Sequence, residues 1–237
     1  MAKATPPPPA PAPGSPDSLR AQLLATEHWS LLASRSTAQS EVLVRISILL
    51  TLVSAGLVSL ALMGQVTDFA DPFALYAVAI LSIVSLIGIM TQIRVRNVGM
   101  EDLMYVLAMN RLRAAYLRLD PGIAPYLMAS ANDDLPGMSR TYYFLDPGRN
   151  RHQVLGSTML FIAVVNSALM GLLSAAILTA LGGGRLLAGG VALLVGLVYI
   201  TLSVLQGGAE FKRFWRSYEP FNPTPAGDAR PQPDQEV

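Results

Sequence analysis

Two apolar runs, 46–63 and 73–90, contain no charged residue and are joined by a short link carrying Asp68 and Asp71. Each is about long enough to cross a bilayer as a helix. Two further runs, 154–181 and 186–205, follow a polar middle section and are separated by the turn Gly182-Gly183-Gly184-Arg185. The third is long enough to tilt or to project beyond the bilayer. This pattern predicts an all-α membrane protein with four transmembrane helices in two hairpins.

Outside the first pair the pattern changes from continuous to periodic. In 18–45, Leu24, Leu31, Ala38 and Val42 fall near a heptad stripe, which His28 and Arg35 interrupt at equivalent spacing. In 91–119, Val95, Val98, Asp102, Tyr105, Met109, Leu112, Tyr116 and Leu119 alternate spacings of three and four, the seam of a coiled coil. Pro16-Asp17-Ser18 is a helix start, and Asp120-Pro121-Gly122 a sharp stop. If the first two spans form an antiparallel hairpin, facing residues keep a constant sum of residue numbers. That register sets Glu41 against Arg94 and Arg96, Arg35 against Glu101 and Asp102, Glu27 against Arg111, and Arg20 near Asp120. Four oppositely charged matches in succession predict a cytoplasmic antiparallel helical stalk, with Arg35 and Asp102 as a structural ion pair on otherwise apolar stripes.

The chain divides accordingly. Residues 1–17 are a Pro/Ala tract, expected to be disordered or polyproline II and lacking the apolar core of a signal peptide. Residues 18–119 form the long helical hairpin, 120–153 a cytoplasmic connector, 154–205 the second transmembrane hairpin, and 206–237 a basic-aromatic segment with a disordered tail. The connector reads as irregular, punctuated by Pro125, Pro136-Gly137 and Asp146-Pro147-Gly148. Leu119-Asp120-Pro121-Gly122 recurs as Leu145-Asp146-Pro147-Gly148, the same turn chemistry used twice. Thr141-Tyr142-Tyr143-Phe144 fits a strand, an interfacial aromatic patch or packing against the seam. Within the spans, Thr51/Ala55/Ser59, Ser167/Gly171/Ala175 and Ala192/Gly196 form small-residue faces where helices can approach closely.

Composition agrees with the pattern. Of 237 residues, 52% are hydrophobic and only 14% charged, with a mean hydropathy of +0.43, too apolar for an ordinary soluble domain. Net charge is close to zero, but its distribution is not even. Lys and Arg precede the first span, crowd the segment between the second and third, and follow the fourth; Arg185 alone falls on the other side. The positive-inside rule then places both termini and the connector in the cytoplasm, in a multi-pass protein of the cell membrane. Lys212, Arg213, Trp215 and Arg216 read as a lipid-interface anchor closing the fourth span.

Candidate chemistry is sparse. With no cysteine, thiol catalysis, disulfides and thiolate metal sites are excluded. His28 and His152 stand apart, and His28 shares no helix face with Glu27. Asp133-Asp134 could attract a hard cation, but it lacks further ligands at fixed spacing, so a solvated loop is the expectation. No nucleotide, hydrolase or metal motif is present, no cofactor is expected, and the spans contain no charge to couple to ions. Ser47, Thr51, Ser54 and Asn166 are the residues that could line a pore in an oligomer. The basic residues of the middle section alternate with acids, so nucleic acid is not an expected partner.

Three stretches, Ala25-Thr26-Glu27-His28-Trp29-Ser30-Leu31-Leu32-Ala33, Met109-Asn110-Arg111-Leu112-Arg113-Ala114-Ala115-Tyr116 and Ala124-Pro125-Tyr126, carry a resemblance. The set resembles a group of uncharacterised bacterial, actinobacterial-type membrane proteins with four predicted spans. The resemblance covers roughly 19–205 and implies a bacterial cytoplasmic membrane, with no activity and no functional residues attached. Pattern and composition together predict a non-enzymatic scaffold or signalling component, whose stalk meets a cytoplasmic protein or a second copy. The alternative is a small oligomeric channel or transport-associated protein.

Overall fold

A computed structural model describes residues 16–143 and 157–226. The Pro-rich start, Phe144, the second Asp-Pro-Gly turn, His152 and the end of the C-terminal tail lie outside the described residues. All regular structure described is helical: α1 (Pro16–Thr67), α2 (Asp71–Leu119), a 3-10 turn (Pro121–Tyr126), α3 (Leu135–Tyr142), α4 (Thr158–Ala180) and α5 (Arg185–Ser217). Four of these helices are long and apolar enough to cross a membrane. Both α1 and α2 run without a break from the apolar spans into the periodic flanks. At 52 residues, α1 is about 78 Å long at 1.5 Å per residue.

The link between α1 and α2 is shorter than 64–72. No breaker stops α1 at Gly64, so the helix continues to Thr67, and Asp68 and Phe69 then reverse the chain in the left-handed region (φ +48° and +55°). The Phe69 amide donates to Gly64 O at 3.1 Å, closing the helix end, and its ring lies where a Cβ at residue 64 would stand.

The described residues group into two compact units. The first unit, from 38–100 and the later 150–216, is built on a core of Val42, Ile46, Leu49, Leu81, Val84, Val95, Ile162 and Leu169. Its close contacts fall on glycines. Gly56 meets Ile80, with 3.2 Å between the side chain and an added Cβ. Gly171 would place a Cβ 2.7 Å from Ala192 O, and Gly196 one 3.3 Å from Ser167 O. The small faces read on α4 and α5 thus meet each other, and Ser167 Oγ donates to Gly196 O at 2.7 Å. The face Thr51/Ala55/Ser59 behaves differently: Thr51 and Ala55 are exposed, and α2 approaches α1 at Gly56 instead.

The second unit, from residues up to Thr37, 101–149 and 217 onward, brings together three separated stretches of chain. Its α1 segment presents Leu24, His28, Leu31 and Arg35 on the less exposed side, the expected stripe with both polar interruptions included. In α2 the burial is wider than one seam. Met109 is buried, and so is a second face of Leu103, Val106, Leu107, Asn110 and Ala114. The connector supplies more order than its prolines and glycines suggested. Asp120 accepts from Gly122 N at 2.8 Å to start the 3-10 turn, and Asp134 accepts from Gly137 N at 2.9 Å to start α3. Pro136 sits in the first turn of α3, where a missing N–H costs nothing, so it opens a helix within a stretch expected to be irregular.

Candidate functional site

In the first unit the side chain of Gln92 is the centre of a buried polar network. Its Oε1 accepts from Asn166 Nδ2 (2.7 Å) and Tyr199 OH (2.9 Å), and its Nε2 donates to Ser203 Oγ (3.0 Å). Asn166 Nδ2 also donates to Gly88 O at 2.8 Å. Two donors on Oε1 and an acceptor on Nε2 fix the orientation of the amide. Gly88 makes room: a Cβ there would overlap Asn166 Oδ1. The network ties α2, α4 and α5 through buried side chains, and Asn166 Oδ1 alone of its named amide atoms has no partner among the described residues.

Ser47, Thr51 and Ser54 lie elsewhere, on an exposed face of α1, each hydroxyl donating 2.9 Å to the carbonyl four residues back. The structure does not bring them together with Asn166, which is 1% exposed. At the charged ends of this unit, Glu41 accepts from Arg94 at 2.8 Å and from Arg45 at 2.9 Å, and these bonds hold its carboxyl below the usual range. Arg96 reaches Glu210 and Gln206, both at 3.2 Å. Lys212, Arg213 and Arg216 are exposed on the last turns of α5, while Trp215 packs edge-on against Phe211 and Phe214.

The second unit holds two carboxylate centres. Arg35 and Asp102 form the expected ion pair, with Nε–Oδ1 at 2.6 Å and Nη2–Oδ2 at 3.2 Å. Tyr142 completes it, donating its hydroxyl to Asp102 Oδ2 at 2.5 Å beneath the Arg35 guanidinium, 5.9 Å from its ring centre. Burial, and then the bond to Asp102, push the Tyr142 phenol far above its ordinary pKa, so it remains a donor at any physiological pH. Of the three readings open for Thr141–Tyr143, packing against the seam is the one observed for Tyr142.

Asp133 is the other centre. It is fully buried and accepts from Arg111 Nε (2.5 Å), Tyr218 OH (3.0 Å), Phe221 N (3.0 Å) and Asn222 N (2.7 Å). Burial would raise its pKa, but the Arg111 bond and the three other donors outweigh burial and hold it below the ordinary 3.8. Asp134 takes Thr224 N at 2.6 Å and Thr224 Oγ1 at 2.8 Å. The acidic pair is therefore not the solvated loop expected: its oxygens clamp the segment 218–224. Among the described residues no group of acids and histidines could hold a metal ion.

The charge register holds for Glu41 with Arg94 and for Arg35 with Asp102, and fails further out. Arg111 turns to Asp133 and away from Glu27, which is exposed, and Asp120 is used in its own turn rather than by Arg20. A two-helix register omits the connector, whose acids compete for the same arginines. The sequence reading also missed Gln92, Tyr199 and Ser203. Gln92 lies just past the apolar run, where a polar residue looks like a boundary. It nevertheless continues the buried spacing Leu81, Val84, Gly88, Val95. Comparison with known proteins gives no match to any family model, curated protein or solved structure.

Proposed function

We propose that the chain is a multi-pass protein of a bacterial cell membrane, with two transmembrane hairpins, both termini cytoplasmic, and the second unit as a cytoplasmic helical stalk. Its role is that of a non-enzymatic scaffold or signalling component, with the stalk as the surface offered to a protein partner or a second copy. The observation that carries this reading is the pairing of a charge-tied interior with exposed apolar side chains. Arg35, Asp102 and Tyr142 lock α1, α2 and α3 together, yet on the same unit Trp29 is 71%, Tyr126 82% and Met128 66% exposed. Large apolar groups held outward on a rigid unit favour a protein-contact surface. The resemblance at 25–33, 109–116 and 124–126 supports the bacterial setting.

The absence of native cysteine gives a clean test. Single cysteines at Ser30 and Gly184 should label from opposite sides of sealed vesicles, and labelling from the same side overturns the topology. A photo-crosslinker at Trp29 in the full chain in native membranes should yield one discrete protein adduct that the same probe at Val58, in the first span, does not. Identical lipid-only adducts at both positions overturn the contact surface. The channel reading draws on the shared exposed face of Ser47, Thr51 and Ser54, and predicts ion flux in liposomes that Thr51→Leu abolishes.

A further inference from the structure

In the second unit, Arg35 and Arg111 each meet a carboxylate, and Arg113, among the described residues, does not. Arg113 is partly buried on α2, and its hydrogen bond runs from Nη1 to the neutral Asn110 Oδ1 at 2.6 Å. The neighbouring carboxylates are committed elsewhere: Asp102 to Arg35 and Tyr142, Asp133 to Arg111 and Tyr218, Asp134 to Gly137 and Thr224. One turn further along α2, Tyr116 stacks on His28 of α1, with ring centres 6.0 Å apart and planes 24° apart. The Tyr116 hydroxyl is spent on Leu24 O at 2.9 Å. His28 Nδ1 is buried with no hydrogen-bond partner among the described residues. Among the described residues, a guanidinium without a carboxylate partner therefore lies one turn of α2 from the tyrosine that stacks on an unused imidazole, and withdrawing such a charge from water without compensation is costly.

We propose that Arg113 and His28 form a binding site for a small, soluble oxyanion of the phosphate type. The planar fork of Arg113 leaves four N–H donors beyond the one given to Asn110 and matches two oxygens of a tetrahedral anion. His28 supplies a further N–H from the facing helix. Phosphate is favoured over a monocarboxylate because it has oxygens enough for both helices and carries more charge. Two further features agree. Burial, then the charge of Arg113, lowers the His28 pKa. Burial is also the main effect lowering that of Arg113, with Arg35 adding repulsion. An anion would relieve both. The site goes beyond the scaffold reading and does not depend on it.

The chain has two histidines, so side-chain resonances of histidine-labelled, full-length protein in detergent micelles resolve His28 once His152→Gln assigns the other. Inorganic phosphate, against chloride at matched ionic strength, should raise the His28 titration midpoint saturably by about one unit, the effect of an opposite charge at close range. Arg113→Gln should abolish the shift, Arg113→Lys should retain part of it, and acetate should give less. Equal midpoints in phosphate and chloride overturn the proposal, and wild-type protein alone delivers that result if Arg113→Gln does not fold. A shift produced only by bicelles of anionic lipid in phosphate-free buffer also overturns it, assigning the pair to the membrane surface.

Discussion

Replacing Asp133 with asparagine removes one negative charge and almost no volume, so its effect measures what the buried carboxylate does. Oδ2 accepts from Arg111, Tyr218 and Phe221, and Oδ1 from Asn222. Asparagine has one acceptor oxygen. In its better orientation that oxygen keeps the three donors, and the new NH2 faces the Asn222 amide, donor against donor. The lost bond and stranded N–H cost about 1–3 kcal/mol, the Tyr218 and Phe221 bonds fall from the charge-assisted class to the neutral class at about 1 kcal/mol each, and the Arg111 bond keeps its charged donor but loses the opposite charge, about 1 kcal/mol more. Arg111 is 43% exposed and recovers part of its loss from water, so about 4 kcal/mol is expected. Pulse proteolysis across a urea series in detergent reads this, with cleavage beginning at the segment 218–224. The pH dependence has a definite sign. Because the folded pKa of Asp133 is depressed below 3.8, its stabilisation is complete above the unfolded value and disappears as pH falls through the folded one. The gap between wild type and Asp133→Asn should therefore be constant above about pH 5 and shrink on acidification. A difference under about 1 kcal/mol at neutral pH, or one that grows in acid, refutes the assigned role of this carboxylate.

Asp102→Ala leaves Arg35 and the Tyr142 hydroxyl unpaired and should cost about 2–4 kcal/mol by the same assay, against no measurable loss for Glu27→Ala on the exposed side of α1. Gln92→Leu removes the partner of Asn166, Tyr199 and Ser203; bonds between membrane helices average about 0.6 kcal/mol, so about 1–2 kcal/mol is expected, less than for Asp133→Asn. A reversed order would refute the modest value assigned to these interhelical bonds. Gly88→Ala drives a methyl group into Asn166 Oδ1 and should cost about 1–3 kcal/mol in unfolding titrations, where Gly99→Ala, with open space around it, costs nothing.

What could be read from the sequence follows the range of the interactions. Helices and spans depend on neighbours three and four residues away, so α1, α2, α4 and α5 were legible, as was the Asp120 stop. The meeting of Gly171 with Ala192 was legible as two small faces on successive spans, though not as one contact. Arg35 and Asp102 stood out because a charge on an apolar stripe needs a partner and two facing stripes each supplied one. Asp133 gave no such signal. Its ligands come from Arg111 and from residues 218–222, and beside Asp134, Pro136 and Gly137 it has the composition of a surface turn. Nothing local distinguishes an acid that water surrounds from one that distant backbone amides surround.

The clamp at Asp133 also constrains the order of assembly. Its backbone donors, Phe221 and Asn222, lie beyond all the long helices, so they leave the ribosome after the rest of the unit they complete. Until then Arg111 and Asp133 have only each other and water. A ribosome-bound chain stalled before Tyr218 would carry an unfinished second unit, open to chaperones and proteases, however well its spans had inserted.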